Sequence, residues 1–224
     1  DIGVTGVQTC ALPICYWYKN REGVCAVFGE LLRRQASSGA VEFRGDGERE
    51  GGELASGRKG RAPDGLRLVL VGHLEEPARR WLAGHPEAAA ACVWLPAVTG
   101  EQLRALYSAA AVLLFPSWWE GFGWPVLEAL ACGCPVITTQ RAPLTEVAGE
   151  AAVYLAACPE DPVDRAGQVA WSQAAADQVL AVLGRDAAAR RQWRQRGLER
   201  AARFNRQSWL DQLEECLRCA ASPA

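Results

Sequence analysis

Two glutamates, Glu120 and Glu128, flank a glycine-containing turn in the stretch FPSWWEGFGWPVLEALACGCPVITT, residues 115–139. Gly121 and Gly123 lack a Cβ atom, so the backbone there can approach a ligand closely and direct its N–H groups at oxygen atoms. A carboxylate can accept two hydrogen bonds at once, which suits the vicinal hydroxyls of a hexose or a ribose. Amides that hold a phosphate and carboxylates that hold sugar hydroxyls together indicate a nucleotide-sugar ligand.

The loop leads into a predicted helix that has Pro125 in its first turn and ends at Gly133, since proline favours the first turn and glycine the position after the end. This places Glu120 in the loop and Glu128 in the first turn of the helix. The amides of that turn favour a nearby anionic group by about 0.3–1 kcal/mol when exposed.

Each of these residues alone also has an ordinary structural explanation. Glu128 is typical of a first-turn glutamate that complements the helix dipole. A Gly-Phe-Gly sequence is a weak turn signal. The tryptophans at positions 118, 119 and 124 fit a lid, or packing between domains, better than a surface on which sugars stack. The functional interpretation therefore depends on the whole string of residues.

Short apolar runs alternate with amphipathic segments on both sides of this loop. Strands are predicted in LRLVLVG, ACVWLP, AVLLFPS, CPVITT and AAVYL, and helices in EPARRWLAG, GEQLRALYSAA and PVLEALACG. Apolar strands separated by helices are typical of a parallel sheet covered on both faces. We predict an α/β fold with a doubly wound (Rossmann-like) parallel sheet, in which ligands bind beyond the carboxyl ends of the strands.

Helices are also predicted at both ends of this alternating region. Residues 162–219 are expected to be mostly helical, with breaks near Gly184 and Gly197, and to form a C-terminal wrap. An earlier helix with one buried stripe is indicated by the spacing of Val24, Val27, Phe28, Leu31 and Leu32.

The domain boundaries follow from changes in composition. Residues 1–14 include VTGVQTCALPI, which resembles the conceptual translation of a common sequencing adapter, and we interpret this segment as an adapter-derived artefact. The alternatives are a real strand or a secretory segment, although no basic region precedes it. One domain then covers residues 15–219, with a mobile Gly-, Glu- and Arg-rich surface insertion at 36–65, and residues 220–224 form a tail.

Composition limits the remaining function classes. The 224 residues have a formal net charge of −2, which gives no global electrostatic reason to expect nucleic acid as a partner. The basic stretch RRQWRQRGLERAARFNRQSW could indicate RNA or an anionic membrane, but the acidic residues around it favour a solvated helix. No apolar run is long enough for a transmembrane segment. Nine scattered cysteines favour a reducing cytoplasm, with the inner membrane face as an alternative, peripheral location.

The loop and helix together resemble the donor-site signature of the retaining glycosyltransferases of family four, which have the GT-B fold. The resemblance is carried by Glu120-Gly121-Phe122-Gly123, Pro125, Leu127-Glu128-Ala129, Gly133 and Pro135-Val136-Ile137. Tyr18-Lys19-Asn20 is similar to the Lys-Asn step that opens the first helix of the nucleotide-binding domain in that family. The resemblance covers residues 16 to 219, interrupted by the insertion, and implies a single GT-B half with a helical C-terminal wrap.

This resemblance implies roles for individual residues. Glu120 is expected to contact the transferred sugar, Glu128 to hold the ribose diol, and Lys19 to neutralise the departing diphosphate as a point charge. Lys19 and Glu120 are thus the catalytic candidates, and the donor-binding candidates are Gly121, Phe122, Gly123, Leu127 and Glu128. Members of the family usually bind the leaving group without a metal, and no Asp-x-Asp pair lies in a predicted strand-end loop. We therefore expect no metal and no cofactor.

The implied function is transfer of a hexose from a nucleoside-diphosphate sugar to an unknown acceptor with retention. We expect the N-terminal acceptor domain of the family to be missing. The first strand of the nucleotide-binding domain, and the arginine that family members usually carry a few residues before the lysine, would fall within the adapter-like segment. The chain alone is thus expected to bind the donor with little or no turnover. One alternative is a non-catalytic nucleotide-sugar or protein-binding module. A dehydrogenase domain is disfavoured because no Gly-x-Gly-x-x-Gly follows a strand.

Overall fold

The apolar runs form six short strands, which pair in parallel in one sheet. The computed structural model of the protein describes residues 9–11, 19–37, 65–161 and 163–221. The strands are β1 (Thr9–Ala11), β2 (Leu68–Val71), β3 (Cys92–Leu95), β4 (Val112–Phe115), β5 (Val136–Thr139) and β6 (Ala152–Leu155). All four residues of β2, β4 and β5 are buried, as expected for strands covered on both faces.

Helices cover both faces of this sheet. They are α1 (Arg21–Ser37), α2 (Glu76–Ala83), α3 (Pro86–Ala90), α4 (Gly100–Ala109), α5 (Trp124–Ala131), α6 (Leu144–Ala148), α7 (Arg165–Leu183), α8 (Ala187–Ala202) and α9 (Arg206–Ala221). One core, formed with α1, α2 and α7, contains Phe28, Leu68 and Val179. A second core, formed with α4, α5 and α6, contains Tyr107, Leu130 and Val147. The predicted doubly wound α/β fold with a C-terminal helical wrap is therefore confirmed.

The strand order β3-β2-β1-β4-β5-β6 reverses direction between β1 and β4. Thr9 of β1 pairs with Leu68 of β2 on one side and with Val112 of β4 on the other. In open parallel sheets, a crevice forms outside the carboxyl ends of the strands at such a reversal, and ligands bind there. The chain after β1 reaches Lys19, and the chain after β4 reaches Glu120, so both residues belong to this edge of the sheet.

The structure corrects two of the predicted positions. Glu128, predicted in the first turn of the helix, is the fifth residue of α5 and lies in its second turn, because the helix begins at Trp124. Gly197 does not break a helix but lies inside α8, where a Cβ atom would be 3.2 Å from Leu130 Cδ2 of α5. The break after α8 falls before Asn205, whose side chain accepts a hydrogen bond from the Ser208 amide and so caps α9.

Two of the predicted segments fall wholly or partly outside the described residues. The proposed insertion, 36–65, begins inside the last turn of α1, and residues 38–64 lie outside the described part of the chain. Strand β1 lies within the adapter-like segment, 1–14, and occupies the centre of the sheet. The origin of that segment stays a hypothesis.

The helix that carries Glu128 ends as its glycine predicts. Gly133 adopts a left-handed φ of 69°, which glycine tolerates because it has no Cβ atom. Its amide donates to the Leu130 carbonyl oxygen at 2.9 Å, and the Cys134 amide donates to the Ala129 carbonyl oxygen at 2.8 Å. This pair of hydrogen bonds is the Schellman motif, which satisfies carbonyls at the end of α5 and turns the chain into β5.

Candidate functional site

Lys19 and Glu120 form an ion pair at the carboxyl edge of the sheet, although 101 positions separate them in the sequence. The Lys19 side chain is 8% exposed and the Glu120 side chain 6%. The Lys19 ammonium also lies 5.0 Å from the centre of the Phe115 ring, at the end of β4. The structure thus brings together the two residues to which the sequence resemblance gives the leaving group and the transferred sugar.

Asn20, next to Lys19, connects the start of α1 to the end of β4. Its side-chain amide donates to the Pro116 carbonyl oxygen at 3.3 Å, and its Oδ1 accepts from the Gly23 amide at 3.1 Å. The second bond caps α1, and asparagine tolerates the left-handed φ of 50° found here. The sequence contained this signal in its Lys-Asn step, but the cross-link to Pro116 depends on the tertiary fold.

The turn between β4 and α5 exposes backbone at the same edge. Gly121 is exposed, and a Cβ atom there would have no heavy atom within 4 Å. Gly123 caps α5 with a φ of 97°, and its carbonyl oxygen accepts hydrogen bonds from the amides of Val126 and Leu127. Because Pro125 has no N–H, the amides that can face a ligand are those of residues 121–124.

Glu128 has a different partner from Glu120. The hydroxyl of Tyr107, near the end of α4, donates to Glu128 Oε2 at 3.1 Å. Tyr107 is 1% exposed and belongs to the second core, whereas Glu128 is half-buried. Leu127 is half-buried and packs against the same core. The hydrogen bond from Tyr107 to Glu128 could not be predicted from the sequence, because a contact between α4 and α5 has no local sequence signal.

The tryptophans of the loop are held by residues from the loop after β5 and from the segment after β6. The Trp118 indole donates to the Cys158 carbonyl oxygen at 2.8 Å. The guanidinium of Arg141 donates to the Trp118 carbonyl oxygen at 2.6 Å and lies 4.2 Å from the centre of the Trp119 ring. Glu160 accepts from the Trp119 indole at 3.5 Å. These contacts favour a structural role for Trp118 and fix the loop just before Glu120.

Phe122 connects the same loop to the C-terminal wrap. Its ring centre lies 4.8 Å from that of Trp124 and 5.9 Å from that of Phe204, which follows α8. Trp124 is 63% exposed. Arg200 of α8 donates through Nε to the Val147 carbonyl oxygen at 2.9 Å, so the wrap packs on the helices beside the site.

The described residues near this edge support neither a cysteine nucleophile nor a metal site. Burial raises the pKa of the Cys158 thiol to about 11, so the thiol is protonated at neutral pH and a poor nucleophile. In the described ranges no group of three or more His, Cys, Asp or Glu side chains could hold a metal ion. The helices of these same ranges include none with the length and apolarity needed to cross a bilayer.

The profile of the family described as glycosyl transferases group 1 matches residues 54–174, which is more than half of the chain. The chain belongs to this family. The match includes β2 through β6 and the start of α7, and therefore the loop with Glu120 and the helix with Glu128.

Curated relatives of this group 1 glycosyltransferase domain match shorter stretches. The O-antigen chain mannosyltransferase B of Escherichia coli is 46% identical over 68 residues, which cover 30% of this chain and 17% of the relative. The D-inositol 3-phosphate glycosyltransferase of Pseudarthrobacter chlorophenolicus is 42% identical over 84 residues, which cover 36% of this chain and 20% of the relative. The aligned region thus spans a fifth or less of the length of these two relatives.

Solved structures match nearly the whole chain at low sequence identity. The pneumococcal O-GlcNAc transferase GtfA superposes with a TM-score of 0.63 and 14% identity, covering 94% of this chain and 35% of that one. A trehalose-phosphate synthase from Burkholderia vietnamiensis gives a TM-score of 0.58 and 13% identity, covering 96% and 45%. At this sequence identity the similarities show the fold alone, and the substrate and the acceptor must be argued from the chemistry of the site.

Proposed function

We propose that this chain is the donor-binding half of a retaining glycosyltransferase, which transfers a hexose from a nucleoside-diphosphate sugar to an acceptor. The observation that carries the proposal is the pairing of Lys19 with Glu120 beside the glycine-containing turn. One edge of the sheet then presents a cation for the phosphates, a carboxylate for the sugar and backbone amides from the exposed turn. A nucleotide-sugar needs these three groups together.

Different residues of the site bind different parts of the donor during the transfer. The bond from the anomeric carbon to the diphosphate oxygen breaks, and an acceptor oxygen bonds to that carbon on the same face of the ring. Lys19 and the amides of residues 121–124 stabilise the charge that develops on the departing diphosphate. Glu120 accepts hydrogen bonds from the sugar and Glu128 from the ribose diol. The rest of the protein, beyond this chain, supplies the acceptor site.

A fold-level comparison supports a nucleotide ligand. The structure of the pneumococcal O-GlcNAc transferase GtfA, which shares the fold, is a complex with UDP and GlcNAc. This supports the class of ligand only by analogy, because one fold can carry different sites. The base and the sugar of the donor must be found by experiment.

Donor binding tests the proposal directly. Isothermal titration calorimetry with UDP and GDP, free and as their hexose conjugates, should show binding of at least one of the four to the chain. Glu128→Ala should weaken that binding by about tenfold or more, because a hydrogen bond to a charged group contributes about 1.5–3 kcal/mol. Absence of binding for all four ligands, or equal binding by the Glu128→Ala variant, would contradict the proposal.

Removal of divalent ions should leave donor binding unchanged. Lys19 and the loop amides carry the charge compensation in this proposal, so no ion is needed between protein and diphosphate. The measurement is the dissociation constant of the binding nucleotide in the presence of excess EDTA and then of millimolar Mg²⁺ or Mn²⁺. A severalfold gain in affinity with either ion would show that a metal bridges the diphosphate to the protein.

A further inference from the structure

The Tyr107–Glu128 contact at the junction of α4 and α5 joins a buried tyrosine hydroxyl, whose position is fixed, to a half-buried carboxylate, whose orientation can change. The Tyr107 ring is enclosed in the second core, at 1% exposure, so its hydroxyl has a fixed position. Glu128, in contrast, is half-buried and lies in the second turn of α5, just after the loop that joins β4 to α5. The hydroxyl donates to Glu128 Oε2 at 3.1 Å.

We infer that Tyr107 is a positioning residue, which orients Glu128 so that the site prefers a ribose diol over a 2′-deoxyribose; this inference rests on the proposed function. A carboxylate is planar, so a hydrogen bond that fixes Oε2 also restricts the direction of Oε1. A carboxylate that is already ordered before the nucleotide binds loses less conformational entropy on binding. The benefit depends on the diol, because only the diol gives the oriented carboxylate two donors.

A purely structural role is the competing explanation, since a buried hydroxyl needs a partner wherever it lies. The chain contains a second hydrogen-bonded tyrosine for comparison. The Tyr154 hydroxyl, on β6, donates to the Gly149 carbonyl oxygen at 2.6 Å, and this side chain is half-buried. Tyr154→Phe removes a hydroxyl that is bonded to a backbone carbonyl oxygen rather than to Glu128 and is the control for Tyr107→Phe.

The experiment compares two pairs of ligands on five proteins. Dissociation constants are measured for UDP and 2′-deoxy-UDP, and for GDP and 2′-deoxy-GDP. The proteins are the unmodified chain, Tyr107→Phe, Tyr154→Phe, Glu128→Ala and the double variant Tyr107→Phe, Glu128→Ala. Tyr107→Phe should weaken the binding ribonucleotide by about five- to tenfold and the deoxynucleotide by less than twofold. Tyr154→Phe should change neither by more than about twofold. In Glu128→Ala, adding Tyr107→Phe should have no further effect on the ratio of the two affinities.

The possible outcomes separate the inference from the proposed function. If Tyr107→Phe leaves the ribose-to-deoxyribose ratio at its original value while Glu128→Ala lowers it, the inference is wrong and the donor-binding proposal stands. If the unmodified chain binds none of the four nucleotides, the proposed function fails and the inference fails with it. Thermal melting of each variant shows whether it is folded. If Tyr107→Phe does not fold, Glu128→Gln takes its place. An amide oxygen accepts at most two hydrogen bonds, so it cannot accept from the tyrosine and from both ribose hydroxyls, and an unchanged ratio would again overturn the inference.

Discussion

Replacing Lys19 with methionine is expected to lower the stability of the fold by about 3–5 kcal/mol, because it leaves the buried Glu120 carboxylate without its cation. Both side chains are at least nine-tenths buried. For a chain of this length the thermal midpoint should fall by roughly 10 °C. Nucleotide binding should be lost in the same variant, since Lys19 is the proposed phosphate ligand. Differential scanning calorimetry and titration calorimetry measure the two effects separately.

An exposed ion pair in the same chain provides the control. Arg80 and Glu76 of α2 pair at 3.3 Å with side chains that are 78% and 68% exposed. Such pairs contribute about 0.3–0.5 kcal/mol, so Arg80→Met should move the midpoint by only one or two degrees. The double variant Lys19→Met, Glu120→Leu should regain much of the lost stability, because no charge is then buried alone. If the thermal midpoint of Lys19→Met equals that of Arg80→Met, burial does not increase the contribution of the Lys19–Glu120 pair to stability.

Gly123→Ala should both destabilise the fold and weaken donor binding. The backbone at this position has a φ of 97°, which costs a residue with a side chain about 1–2 kcal/mol. The new Cβ atom would also lie 2.7 Å from Leu144 Cδ2, inside the second core, and overpacking of this kind costs about 1–3 kcal/mol. The loop must shift to relieve the contact, so affinity for the binding nucleotide should fall at least tenfold in titration calorimetry.

Gly121 is the matched position for this test. A Cβ atom there meets no heavy atom within 4 Å, so Gly121→Ala should leave the melting temperature unchanged. Any loss of donor affinity in Gly121→Ala then reports close approach of the ligand rather than strain in the loop. If Gly123→Ala melts and binds as the unmodified chain does, the loop does not depend on its left-handed glycine.

The sequence predicted the sheet and the position of the loop because both depend on local patterns. The apolar runs around Leu70, Leu114 and Ile137 became central strands, and Pro125 fell in the first turn of α5. Glu128 was predicted in the first turn of that helix, one turn too early, because α5 begins at Trp124 with Gly123 as its left-handed N-cap. Glu128 therefore lies in the second turn, where its contribution to the helix dipole is smaller than expected.

The contacts that complete the site could not be predicted in the same way. The Tyr107 hydroxyl reaches Glu128 only through the packing of α4 on α5, and Arg141 reaches Trp119 only through the relative placement of two loops. Gly197 was misinterpreted for a similar reason: its small size permits close packing of α8 on α5, whereas the sequence suggested a break. Such residues are selected by neighbours that are distant in the sequence.

Strand β1 links two blocks of strands that are otherwise separate in the hydrogen-bonded sheet, β2–β3 on one side and β4–β5–β6 on the other. Three residues, Thr9–Ala11, make this link. Their backbone hydrogen bonds hold each neighbouring strand at about 4.8 Å, so β1 fixes the separation of the two blocks and, with it, the placement of the segment that presents Lys19 relative to the loop that presents Glu120. A proline in that one short strand would remove ladder hydrogen bonds and could thus disturb the donor crevice without touching any group that contacts the nucleotide.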